Sequence, residues 1–230
     1  MKMQSAWVLM LAAALVLGLG LGPGCGKSGG EGEDGNGGNG GEAGEGDGGG
    51  TRSEGFESPE KAFEAMKEKM NKGDFDEVLP YIVPGERAGM VFLFHFASGF
   101  AGRGKENAGE IRKEFADIRE KHNVAEKPEG VSGKEIGKMF AAEDKTAFLE
   151  TAETFLADVD LEAYYEDLCA FVKKHSDDPP GDDPAVEMKD LETREDRAKA
   201  RVVHESGEQK TAIFKKVDGR WFYSVESMME

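Results

Sequence analysis

The chain is 230 residues long, with 46 acidic and 29 basic side chains and a formal net charge of −17. That balance excludes a nucleic-acid binder, which needs a dominant basic surface against phosphates, and two Cys residues exclude a disulfide framework. Nineteen of the 32 Gly precede Phe56, so the composition divides the chain into residues 1–24, 25–55 and 56–230 before any fold is considered.

Lys2 precedes an apolar run over residues 6–21 (AWVLMLAAALVLGLGL), the form of a secretory signal peptide. The run is shorter than the roughly 20 apolar residues of a membrane span, and Gly22-Pro23-Gly24-Cys25 opens the backbone directly after it. A Cys immediately behind such a run, followed by Gly-rich polar sequence, resembles the lipobox of bacterial lipoproteins, although the nearest Leu, Leu21, stands four residues before it. The resemblance implies cleavage between Gly24 and Cys25 and lipid attachment at Cys25. It further implies export to the cell envelope, with the membrane as a partner through the anchor and the domain in the periplasm or at the surface. Ordinary secretion and an uncleaved anchor are the alternatives this segment leaves open. Residues 26–55 hold seven acids, two bases and one apolar side chain, Ala43. That is too little to bury against the entropy of ordering, so a disordered spacer is expected, with a span of roughly 30 Å as a Gly-rich coil.

From residue 56 onward helical signals come first. Ser58-Pro59-Glu60 reads as N-cap, first helical residue and first-turn acid; Phe63, Met66 and Met70 share a face, and Gly73 is placed to end the helix. Asp74 and Glu77 have capping-box spacing for a short second helix carrying Phe75, Val78 and Leu79, closed by Pro80 and Pro84. Residues 86–100 (ERAGMVFLFHFASGF) are apolar nearly all round, which predicts a helix buried on most sides. After a Gly-rich break come an amphipathic stretch over 105–123, a capping box at Ser132 and Glu135, and two further helices, the last carrying Tyr164, Leu168 and Phe171 and ending in Lys173-Lys174-His175. Cys169 shares a face with Tyr165 and Val172 and reads as a core thiol.

Beyond the acidic loop at 176–184 the period becomes two. Residues 186–191, 197–204, 209–216 and 220–225 read as strands, with Asp218-Gly219 as a two-residue hairpin turn and Ser206-Gly207-Glu208 as the turn before it. Ala198, Ala200 and Val202 face one way and Arg197, Lys199 and Arg201 the other, so one sheet face is packed and the other solvated. Helices followed by a four-stranded antiparallel meander predict a single α+β domain with an enlarged helical middle.

The opening stretch SPEKAFEAMKEKMNKGDFDEVLPYI and the closing stretch TAIFKKVDGRWFYSVES are similar to the two ends of the nuclear transport factor two-like (SnoaL-like, cystatin-like) superfamily. The resemblance implies a cone-like fold whose concave face can hold a ligand or an active site, while the hundred or so residues between the two stretches exceed what a compact cone would hold.

Candidate chemistry is sparse. Gly99 to Lys105 satisfies G-x-x-x-x-G-K but continues with Glu106, without the metal-binding hydroxyl, and lies between helices. Ser58-Pro59-Glu60-Lys61 matches S-x-x-K, yet Ser58 is accounted for as a cap and no K-T-G follows. His95, His122, His175 and His204 lack paired spacing, so neither metal nor cofactor is expected. Within the meander, His204, Trp221 and Tyr223 are the one candidate pocket group on the inward face. Seven bases against three acids between Arg197 and Trp221 make the sheet basic in an acidic protein; its expected partners are the chain's own acidic helices, the other option being an anionic ligand or polymer. The expected function is that of an envelope-anchored lipoprotein with a non-enzymatic binding domain for an envelope protein, polymer or small ligand; the alternative is a SnoaL-like enzyme or ligand binder with a cone pocket.

Overall fold

In the computed structural model, residues 55–175 and 184–229 are described. The signal segment, Gly24, Cys25, all of the spacer but Gly55, and the Asp-rich loop before Pro184 lie outside them. The first helix, α1 (Pro59–Lys72), starts as its sequence dictates. Ser58 is extended at φ −147°, ψ 161° and accepts from the Lys61 amide, Pro59 fills the first turn, and Gly73 closes the helix at φ 75°. Its buried side chains, Ala62, Phe63 and Met66, lie against the sheet. Each of the two large ones stabilises the fold by about 1.5–3 kcal/mol relative to exposure.

The predicted second helix is instead two 3-10 turns, Phe75–Glu77 and Leu79–Tyr81. Asp74 makes no side-chain capping bond, and Pro80, whose ring blocks a longer helix, holds the segment to single turns. Phe75, Val78 and Leu79 are nevertheless buried as their spacing requires. A third 3-10 turn, Pro84–Glu86, leads into α2 (Arg87–Phe100), whose buried residues Met90, Val91, Phe92, Leu93, His95 and Ala97 surround the helix axis. α3 (Ala108–Lys121), α4 (Gly133–Ala141), α5 (Thr146–Phe155) and α6 (Leu161–His175) complete the helical part. The capping box at Ser132 and Glu135 is present in both directions. α2 packs against α5 and α6, and Phe92 touches Phe96, Phe148 and Phe155 at centroid distances of 4.7, 5.4 and 5.4 Å. Two matching clusters tie α3 to α6. Lys121 and His122 both reach Asp167 at 2.6 Å, and Lys174 and His175 reach Glu114 at 2.8 and 2.9 Å.

The fold is α+β: the helices precede one antiparallel sheet of four strands, β1 (Ala185–Arg194), β2 (Arg197–His204), β3 (Gln209–Val217) and β4 (Arg220–Tyr223), in the order β1-β2-β3-β4. Asp218 and Gly219 take φ 50° and 80°, the left-handed pair that a tight hairpin turn needs. β1 is longer than its alternation suggested and is broken by a register shift between Lys189 and Glu192, with Asp190 at φ 52°. β4 is shorter. It ends at Tyr223: the Ser224 amide still donates to the Ile213 carbonyl, but the Ile213 amide donates to the Ser227 hydroxyl, which replaces the return ladder bond, and the chain enters a 3-10 turn, Val225–Met228. On β2 the burial alternates residue by residue: Ala198, Ala200, Val202 and His204 point inward, and Arg197, Lys199 and Arg201 are exposed.

Candidate functional site

The three side chains that sequence alternation assigns to a pocket all face the packed side of the sheet, with residual exposures of 2% for His204, 5% for Trp221 and 4% for Tyr223. Trp221 and Tyr223 lie two residues apart on β4. Trp221 bridges to Phe56 through both backbone groups at 2.7 and 2.8 Å, and Lys216 stands 5.8 Å from its ring. Tyr223 pairs with Phe214, its ring edge-on at 5.4 Å, and its carbonyl accepts from the Val83 amide; burial pushes its phenol up to about 12. His204 belongs to the other end of the sheet. Tyr223 is opposite Phe214, Phe214 is opposite Ala198, and His204 lies six residues further along β2, about 20 Å at strand rise. The structure brings Trp221 and Tyr223 together and leaves His204 beside the β2–β3 turn, paired with Ala185.

The remaining reactive side chains are bonded within the protein. His95 is buried inside an aromatic shell of Phe96, Phe115 and Phe155, with Tyr164 Oη 2.6 Å from Nδ1 and the Glu126 carbonyl 3.0 Å from Nε2. A carbonyl only accepts, so Nε2 carries the proton and the Tyr164 hydroxyl donates to Nδ1. Burial pushes His95 down to about 4, which keeps the ring neutral near pH 7. Burial likewise pushes the Cys169 thiol up to about 12, opposite to what a nucleophile needs. Ser58 caps α1, and Lys105, the Lys of the G-x-x-x-x-G-K match, donates to the His175 carbonyl at the end of α6. Among the described residues, no group of three or more His, Cys, Asp or Glu side chains could hold a metal ion, and no helix is long and apolar enough to cross a membrane.

Sequence reasoning missed a polar junction between α2 and the sheet. Glu86, 5% exposed at its side chain, accepts from Lys215 Nζ at 2.6 Å and from the Ser224 hydroxyl and Val225 amide at 2.8 Å each. Lys215 also reaches Glu226 at 2.6 Å, and Glu226 reaches Arg197 at 2.8 Å. Burial raises the Glu226 carboxyl, and the bonds and charges of Lys215 and Arg197 outweigh that, holding it below the usual carboxylate range. An acid directly before an all-apolar helix was the available signal; its partners are 129 and 138 residues away.

Ion pairs of the sheet run from Lys215 to Glu86 and Glu226, from Arg197 to Glu226, from Arg201 to Asp190 and between neighbouring strand residues. Compared with known proteins, the chain matches no family model, no curated protein and no solved structure.

Proposed function

We infer that this chain is an envelope-anchored lipoprotein whose α+β domain binds an envelope protein, polymer or small ligand without transforming it. The observation that carries the non-enzymatic part is the use made of each reactive side chain. His95 is held between Tyr164 and a carbonyl in an aromatic core, Cys169 is a buried thiol with a raised pKa, and His204 lies about 20 Å in register from Tyr223. An acid–base pair must meet one reacting atom within hydrogen-bond reach, and His204 and Tyr223 are too far apart in register to do so. The anchor rests on Cys25 and its setting in the sequence. The kinship with the nuclear transport factor two-like superfamily is supported by α1 lying on the packed face of an antiparallel sheet whose last hairpin carries Asp218-Gly219 and then Trp221.

Expression of the full chain in a bacterial host, with and without Cys25→Ser, tests the anchor. The native chain should partition with membranes and take up labelled fatty acid, and the variant should do neither; equal membrane association of both would sink lipidation. Native mass spectrometry of the purified protein tests the binding function through a retained mass, and turnover lost on replacing His204 or Tyr223 would favour the enzyme instead.

A further inference from the structure

The two edges of the sheet are finished differently. At β4, Phe56 bridges to Trp221, each amide donating to the other's carbonyl, Ile82 bridges to Tyr223, and the Val83 amide donates to the Tyr223 carbonyl, so the chain's own backbone closes that edge. β1, the longest strand, forms the opposite edge. Its outer side is closed at Ala185, where the Asn71 side-chain amide donates to the carbonyl at 3.1 Å and accepts from the amide at 3.2 Å. Which later residues turn their backbone outward follows from β2. The His204 amide donates to Glu208, and the His204 and Asp196 carbonyls accept from Gly207 and Lys216, so even-numbered residues of β2 bond towards β3 and odd-numbered ones towards β1. Met188 stands opposite Val202 and Thr193 opposite Ala198, so both direct N–H and C=O away from β2. Glu187, Lys189, Glu192 and Arg194 stand opposite Val203, Arg201, Lys199 and Arg197, which places all four on the solvated face.

This edge is complementary to itself in one register. From its outward backbone groups and its charge order we propose that β1 pairs antiparallel with β1 of a second copy, about a two-fold axis between Asp190 and Leu191. Met188 then faces Thr193 of the second copy, outward backbone to outward backbone. On the solvated face Glu187 meets the second copy's Arg194 and Lys189 meets its Glu192, and each pair recurs by symmetry. The shift that interrupts the ladder between Lys189 and Glu192 falls on the axis in both copies, so neither throws the other out of phase. Within one chain Glu187 pairs with Lys189 and Glu192 with Arg194 in contacts open to solvent, and these exchange for the cross-strand pairs at little cost. The net gain is backbone bonding at Met188 and Thr193, which the fold leaves at an edge, while the carboxylates of this face fix the register. The interface is independent of whether Cys25 is lipidated.

Sedimentation equilibrium of the full chain carrying Cys25→Ser tests it, in about 0.15 M salt, which screens the overall charge beyond about 8 Å. The mass should rise from one chain towards two with a dissociation constant below about 1 mM. Lys189→Glu with Arg194→Glu makes the four facing positions all acidic, and Glu187→Lys with Glu192→Lys makes them all basic. Each variant alone should associate at least about tenfold more weakly than the native edge, and an equal mixture of the two should recover the dimer, which variants that had failed to fold could not do. For the register, chains carrying Lys189→Cys and Glu192→Cys, each with Cys25→Ser, should form a disulfide on mixing at least about threefold faster than either chain alone; Cys169 is buried and takes no part. A native chain that stays monomeric up to about 1 mM overturns the interface. So do charge variants that associate as the native chain does, a mixture of them that stays monomeric, or cross-linking no faster in the mixture.

Discussion

Replacing Glu86 by Gln is the sharpest test of the junction between α2 and the sheet. The amide keeps one oxygen, which can serve the Ser224 hydroxyl and the Val225 amide at 2.8 Å, but its NH2 then faces Lys215 Nζ, donor against donor, where a 2.6 Å charged bond stood. Lys215 retains Glu226, so the ammonium is not left without a partner. The loss is one charge-assisted hydrogen bond, about 1.5–3 kcal/mol, and Glu86→Ala, which removes every acceptor, should cost about 3–5 kcal/mol. Trp221, 5% exposed and the single Trp after residue 24, reports urea unfolding by fluorescence. With a denaturant slope near 2 kcal/mol per M, the midpoint for Glu86→Gln should fall by about 1 M. Lys215→Met supplies the cycle: in its background Glu86→Gln should lose at least about 1 kcal/mol of its effect, because the donor it confronts is gone. A midpoint within about 0.2 M of the native value, or strict additivity of the two substitutions, would refute the assignment.

Acid stability follows from carboxylates that cations hold down. Asp76 and Glu114 are held below the usual range chiefly by bonds from Lys173 and Lys174, and Glu226 by Lys215 and Arg197 against its burial. Lowered folded-state values give stability that is fully present above the unfolded values and is lost as pH falls through the folded ones; for the carboxylates the unfolded values are about 3.9–4.3, but for His95, which burial holds down to about 4, the unfolded value is about 6.5, so thermal midpoints should begin to fall below about pH 6.5 and drop more steeply below about pH 4. Tyr164→Phe removes the donor to His95 Nδ1 in a site where the other tautomer would point a lone pair at the Glu126 carbonyl; a cost of about 1–3 kcal/mol is expected in the same urea assay, and no change would show that the 2.6 Å contact is not a hydrogen bond. In a Cys25→Ser chain the Cys169 thiol should resist an aromatic disulfide reagent at pH 8 and react completely once urea unfolds the domain; prompt reaction in the native state would contradict its burial.

What the sequence made legible was local. Ser58, Pro59 and Gly73 bound α1, Ser132 and Glu135 box the start of α4, and Asp218-Gly219 turns β3 into β4, because each signal acts within four residues on the backbone that carries it. Where local and distant forces compete, the same cues mislead. Trp221, Tyr223 and Val225 alternate as a strand would, yet β4 stops at Tyr223 because the Ser227 hydroxyl takes the Ile213 amide in place of a ladder bond. Period two reports which side chains are buried, and Val225 is buried in a 3-10 turn as fully as it would be in a strand. The candidate site was legible by face but not by distance. Alternation correctly put His204, Trp221 and Tyr223 on one side of the sheet, and only the register, which depends on both hairpin turns and on how far each strand runs, sets His204 apart.

The charge of −17 looks at first like a uniform repulsion, but the fold sorts it. Residues 56–175 hold 25 acids against 17 bases, whereas residues 197–221 hold three acids against seven bases. Arg201 is held by a solvent-exposed pair to Asp190, whereas Arg197 and Lys215 share Glu226 and so belong to the junction at Glu86. Removing Glu86 should therefore loosen the fold, whereas removing Asp190, whose pair with Arg201 is open to solvent, should leave its stability within about 1 kcal/mol of the native value.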